Sequence, residues 1–175
     1  MSKEKNYITP IGYQRLIEEW DHLTKVDRPK VVEVVSWAAS LGDRSENADY
    51  QYGKKRLREI DRRLRFLNTR INIAIVIDPK EAKSKKVQFG AKVTLIDSQG
   101  EKKVYFIVGV DEINSKKGLI SWRSPIAKGL MGKEVYDEVQ IQTPNGICEF
   151  EIESVEYFEI MEAYYPKKHW KENEN

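Results

Sequence analysis

The chain has 175 residues, 40% hydrophobic and 33% charged, with a formal net charge of +2. That leaves room for one medium domain or two small ones and argues against a single large core. Cys148 is the only cysteine, which excludes an internal disulfide and a thiolate metal cluster; its place in an apparent strand predicts a buried, inert thiol. No apolar run approaches bilayer length and the first residues lack a signal-peptide core, so the chain is expected to be soluble and cytoplasmic.

Thr9-Pro10 supplies a helix cap followed by proline at the first helical position. Leu16, Trp20, Leu23, Val34, Trp37 and Leu41 then form an apolar series with 4,3 spacing, and Trp20 and Trp37 read as seam residues. Asp27, Pro29 and Lys30 interrupt that seam, which predicts a kink or brief break there. After a polar stretch around Gly42, Tyr50, Gly53, Leu57, Ile60, Leu64, Leu67, Ile71 and Ala74 repeat as a heptad seam. Two seams of matching length predict an antiparallel coiled-coil hairpin over residues 8–78, each arm of roughly 30 residues reaching about 45 Å. Asp43, Ser45 and Asn47 are all candidate caps for the second helix.

Around Asp78-Pro79 the period changes. Residues 79–86 read as a charged linker, and Val87, Phe89, Ala91, Val93 and Leu95 then alternate, as do Val104, Phe106 and Val108, and later Val139 and Ile141. Ser98-Gln99-Gly100 and Pro144-Asn145-Gly146 are turn signals, and Ser124 opens a short helix. The fold class is therefore α+β, with an antiparallel sheet domain over 87–158 and a tail over 159–175, frayed from Lys167. Asp111-Glu112 and Asp137-Glu138 read as exposed acids.

The tip, residues 42–49, carries the chemistry. Asp43 and Glu46 are three residues apart, which puts two carboxylates on one side of a turn or helix start, where they could share a divalent metal. Mg²⁺ prefers six hard oxygen ligands, so two carboxylates make an incomplete site that something else must finish. The ordinary alternative is capping, because acids and hydroxyls at helix starts accept backbone N–H bonds and oppose the dipole. Arg44 either steers phosphate or solvates the turn, and Asp49 either extends the metal site or forms an ion pair. Behind the tip, Lys54, Lys55, Arg58, Arg62 and Arg65 fall within about a 100° arc of the helix, opposite its apolar side. Such a stripe suits successive phosphates of a single strand or an acidic protein channel; a merely solvated face is the rival. Tyr50 and Phe66 are candidates for base stacking, with seam packing as the alternative. His22 and His169 lack the neighbours a metal cluster needs, and no phosphate-cradling loop or nucleophile elbow appears.

The stretch from Trp37 through Gly42-Asp43-Arg44-Ser45-Glu46-Asn47-Ala48-Asp49-Tyr50-Gln51-Tyr52, followed by Lys54-Lys55-Arg56-Leu57-Arg58, closely resembles bacterial Gre transcript-cleavage factors, specifically the GreB type. The resemblance runs from about Ile8 to Tyr157 and includes Ser124-Pro125-Ile126-Ala127 with Gly132-Lys133-Glu134. It implies a coiled coil that enters the secondary channel of bacterial RNA polymerase and an FKBP-like domain that docks outside. By that match Asp43 and Glu46 are the catalytic acids, holding Mg²⁺ shared with the polymerase to cut the extruded 3′ segment of nascent RNA. Arg44, Ser45 and Asn47 would support the tip. Lys54, Lys55, Arg56 and Arg58 would begin an RNA-binding patch continued by Arg62 and Arg65, and Ser124, Pro125, Ile126 and Ala127 would belong to the polymerase-docking surface. The protein would be an accessory factor, monomeric and without a membrane partner, and not a self-sufficient nuclease. Two rival classes are a channel-binding regulator without cleavage stimulation and a peptidyl-prolyl isomerase. Gly53 departs from the bulkier polar residue of the GreB-type pattern, and the residues from Tyr164 onward extend past the resemblance.

Overall fold

The computed structural model describes residues 4–171 and is α+β. It forms two compact units: one combines the chain up to Tyr13 with Ala74–Lys167, the other combines Gln14–Ile73 with the chain from Lys168. The units are therefore not consecutive along the chain, as a division at 78 and 86 would have them. The reason is a short parallel strand pair, β1 (Asn6–Ile8) with β2 (Ala74–Val76), which satisfies the backbone groups at both ends of the helical sequence. Ala74, expected as the last seam position, lies in this pair.

α1 (Pro10–His22), which belongs to the helical unit from Gln14 onward, runs through a π turn at Leu23–Asp27 into α2 (Arg28–Ser40). Arg28 N–H donates to Leu23 O, five residues back; the widened turn precedes Pro29, which has no N–H to give. This is the break expected near Pro29. It also advances the register by one residue. Val31 and Val35 are half-buried and Ala38 is buried, whereas Val34, Trp37 and Leu41 are 47%, 55% and 61% exposed. The predicted seam on this arm is thus corrected beyond the π turn.

Gly42, at φ +113°, follows the last turn of α2 in a conformation that favours glycine. On α3 (Ala48–Asn72) the heptad reading holds: Gly53, Ile60 and Leu67 are buried at seven-residue intervals, with Leu57, Leu64 and Ile71 half-buried between them. A Cβ at Gly53 would lie 2.7 Å from Val35 Cγ2. Glycine here lets the two helices approach closely, which offsets its helix cost of about 1 kcal/mol.

The other unit carries a five-stranded sheet in the order β5 (Leu119–Ser121), β4 (Lys102–Val108), β3 (Lys92–Asp97), β7 (Gly146–Glu156), β6 (Glu138–Thr143). Every neighbouring pair is antiparallel except β4 with β5, which are parallel, so the sheet is mixed where a purely antiparallel one was expected. Residues 109–118 return the chain so that β5 runs alongside β4. Ile107 points into a core with Val93, Leu95, Phe150 and Ile152, closed by Ala127 and Leu130 of α4 (Pro125–Leu130). Phe106 and Val108 alternate with it and pack with Leu119, Ile160 and Tyr165 on the opposite face. Val87, Phe89 and Ala91 are buried as their alternation implied, but they precede β3: Val87 bonds to Lys133 O and Gly90 to Ile107 O, outside any strand ladder.

Several expectations change at the surface. Within 79–86, Pro79–Glu81 forms a 3-10 turn capped by Asp78, and Pro79 is buried. Lys167 to Lys171 is not frayed: Lys168 Nζ lies 2.6 Å from Glu18 Oε2, and Trp170 is 6% exposed beneath the Arg15 guanidinium. Residues 172–175 of the tail lie outside the described residues. Cys148 is half-buried in β7 and packs against the core rather than within it.

Glu112 is the largest correction. It is 2% exposed, and its carboxylate accepts from Thr9 N–H at 3.1 Å, Gly109 N–H at 2.7 Å, Tyr165 OH at 2.9 Å and the Thr9 hydroxyl. Burial pushes its carboxyl above the ordinary range against those hydrogen bonds. Asp137, by contrast, is exposed and accepts from Glu134 N–H at 2.8 Å.

Candidate functional site

At the tip, Asn47 resolves the competition for the helix cap. Its backbone is extended, its Oδ1 accepts from Tyr50 N–H at 3.0 Å, and its Nδ2 donates to Ala38 O at 2.8 Å. One side chain therefore caps α3 and fastens it to the last turn of α2. Neither Asp43 nor Glu46 is used for capping. Asp43 Oδ1 accepts from Ser45 N–H at 2.9 Å and Ser45 Oγ at 2.8 Å, and those two bonds, the side-chain one first, hold its carboxyl below the ordinary range. Asp43 and Glu46 are both exposed, and Glu46 makes no hydrogen bond or ion pair among the described residues.

The supporting residues act through contacts with the loop. Ser45 fixes the Asp43 carboxylate, and the Arg44 guanidinium lies 5.6 Å from the centroid of the half-buried Tyr50 ring. Gln51 Nε2 donates to Arg44 O at 3.0 Å, a tie that sequence reasoning missed. Asp49 stands in the first turn of α3, where its charge opposes the helix dipole. Among the described residues no group of three or more potential metal ligands occurs. The two tip acids are hard oxygen donors that suit Mg²⁺ in chemistry but fill only part of its coordination sphere.

The basic arm divides into paired and unpaired cations. Lys55, Arg58, Arg62 and Arg65 are exposed, Lys54 is half-buried, and none of the five makes an ion pair among the described residues. Arg56 does not join them: its guanidinium lies 3.7 Å from Asp27 Oδ2 and 3.6 Å from Glu59 Oε2. Arg63 grips the buried Glu19 through two bonds, of 2.6 and 2.9 Å, and lies 4.9 Å from the Phe66 ring centroid. Sequence periodicity could separate the stripe by angle, but it could not see which cations have acids within reach. Phe66 is 45% exposed, so it is not a seam residue. His22 is buried with Nε2 3.2 Å from Asp27 Oδ1, and His169 Nε2 lies 3.7 Å from Glu19 Oε1.

In the sheet unit, Ser124 Oγ accepts from Ala127 N–H at 3.2 Å and caps α4. Pro125 is exposed, Ser124 and Ile126 are half-buried, and Ala127 is wholly buried. Ala127 therefore belongs to the core beneath the candidate docking surface and cannot itself be touched. No helix among the described residues is long and apolar enough to cross a membrane.

Two family profiles match the chain: "Transcription elongation factor, N-terminal" over residues 6–76 and "Transcription elongation factor, GreA/GreB, C-term" over residues 81–157. Transcription elongation factor GreB of Neisseria meningitidis serogroup B is 51% identical over 91% of this chain and 99% of its own length. The GreB factor of Haemophilus ducreyi is 50% identical over 88% of this chain and 95% of its own. Among solved structures, GreA factor homolog 1 of Thermus thermophilus is 22% identical, covers 87% of this chain and 99% of that one, and gives a TM-score of 0.41. On the two profiles and the curated relatives, the chain belongs to the GreA/GreB family of transcription elongation factors.

Proposed function

We propose that this elongation factor binds bacterial RNA polymerase in the cytoplasm, enters its secondary channel with the helical arm, and stimulates endonucleolytic cleavage of backtracked nascent RNA. The observation that carries this reading is the release of Asp43 and Glu46 from any capping duty: Asn47 does that work, leaving two exposed carboxylates on the loop between α2 and α3. Mg²⁺ shared with the polymerase would supply charge stabilisation and an activated water for phosphodiester cleavage. Asp43, kept ionised and oriented by Ser45, and Glu46 would each offer oxygen ligands to that ion. Two carboxylates are too few to hold it alone, which is why the chain acts as an accessory to the polymerase and not as a nuclease by itself.

Lys54, Lys55, Arg58, Arg62 and Arg65 would track the phosphates of a long extruded segment, with salt-sensitive strength. Pro125 and the accessible parts of Ser124 and Ile126 would contribute to polymerase docking. The test is RNA cleavage by stalled, backtracked polymerase in Mg²⁺, with and without the protein, beside the protein alone. Stimulation only when both are present is the expected result. Cleavage by the purified chain alone would sink the shared-site reading, and polymerase binding without stimulation would favour a channel regulator.

A further inference from the structure

Tyr136 is the one non-glycine residue with positive φ among the described residues, at +71°, and it is 79% exposed. The left-handed region is unfavourable for a bulky L-residue and persists only where the surroundings impose it. They do so here. Tyr136 N–H donates to Ile152 O at 2.8 Å, Ile152 N–H to Asp137 O at 3.0 Å, Asp137 N–H to Glu134 O at 3.1 Å and Glu134 N–H to Asp137 Oδ2 at 2.8 Å. Ile152 is wholly buried in β7, so the turn is clamped to the core of the sheet unit.

The side chain gains nothing from this arrangement. Tyr136 makes no hydrogen bond through its hydroxyl and no ring contact among the described residues. Glycine or asparagine would serve the fold better at this φ, so holding a large aromatic ring there works against stability. A rigidly mounted, solvent-facing tyrosine, with an apolar body and a polar tip, is the kind of side chain that anchors protein interfaces. The turn also shares its unit with α4, to which Lys133 N–H is tied through Leu130 O at 3.1 Å. Its neighbours Glu134, Asp137 and Glu138 are exposed acids against the single Lys133, a setting that repels a phosphate backbone and leaves a protein as the partner.

We propose that Tyr136 is an anchor residue for a protein surface of RNA polymerase, extending the docking surface beyond α4. This rests on the polymerase-binding reading above. The test compares full-length wild type, Tyr136→Asn and Tyr136→Phe by thermal melting, by fluorescence titration against core polymerase, and by crosslinking to a backtracked RNA. Tyr136→Asn should melt no lower than wild type yet bind polymerase at least tenfold more weakly; Tyr136→Phe should keep most of the affinity. Unchanged polymerase binding by Tyr136→Asn overturns the proposal, and so does a loss confined to RNA crosslinking; in both cases wild-type binding shows that the underlying reading stands. Failure of the wild type to bind overturns both.

Discussion

In the sheet unit, Leu95, Ile107 and Ile152 are completely buried in a core that spans several strands and α4, and a second cluster covers the opposite face of β4. In the helical unit, the buried residues of α2 and α3 are Ala38, Gly53, Ile60 and Leu67, a single file of two small and two large residues. Beside that file stand paired charges: Arg63 with Glu19, and Arg28 Nε 2.9 Å from Asp61 Oδ1. A wide apolar core stabilises through burial, at about 1.5–3 kcal/mol for each large side chain. A narrow seam gives less per residue but leaves most of each helix open to carry charge. The contrast teaches that one unit is built to hold a surface in place, the other to present side chains along a thin support.

Cutting into the wide core should have the largest effect. Leu95→Ala is expected to cost about 2–5 kcal/mol, the range for emptying a fully buried site, seen as a lower urea midpoint. The same unit should respond to pH through Glu112. Because burial raises its carboxyl in the folded state, the folded protein holds that proton more tightly than the unfolded chain. Its contribution is fully present below the ordinary carboxylate range and is lost as pH rises through the raised folded value. Glu112→Gln should flatten that part of the stability–pH profile, whereas Glu112→Ala strands the Thr9 and Gly109 donors and should cost about 1–3 kcal/mol. A profile unchanged by Glu112→Gln would contradict this account.

In the narrow seam, Gly53→Leu forces a side chain toward Val35 and should cost about 1–3 kcal/mol. Hydrogen exchange should place the loss in α2 and α3 while the sheet amides stay protected; loss spread evenly over both units would break the comparison. Smaller still is the effect of charge on the open face. Neutralising Lys55, Arg58, Arg62 and Arg65 together should leave melting nearly unchanged and slow cleavage of long extruded segments severalfold, with the wild-type advantage shrinking as salt rises. Equal effects on short and long segments would mean the stripe is only solvated.

Much of this was legible in the sequence because it rests on local periodicity. The heptad of α3, the turns at Gly100 and Gly146, and the cap at Ser124 all follow from residue types at fixed offsets. What periodicity missed involves one shifted register or a distant partner. The π turn moved burial from Trp37 to Ala38, a change no fixed spacing anticipates. Glu112 looked like any surface acid until Thr9 and Tyr165, remote in the chain, met it in the interior. At the tip, Asp43, Ser45 and Asn47 were indistinguishable as caps by composition; only the bonds of Asn47 to Tyr50 and Ala38 separated the capping residue from the exposed acids Asp43 and Glu46.

That separation makes the central claim directly measurable. The double variant Asp43→Asn, Glu46→Gln should be compared with wild type for Mg²⁺-dependent cleavage by a backtracked polymerase, with polymerase affinity and melting temperature measured on the same samples. We expect cleavage stimulation to fall at least a hundredfold, while affinity and melting temperature stay at wild-type values, because Asn47 and the sheet unit are untouched. Undiminished stimulation, or a loss of cleavage matched by an equal loss of binding, would contradict the assignment of these two acids to the reaction.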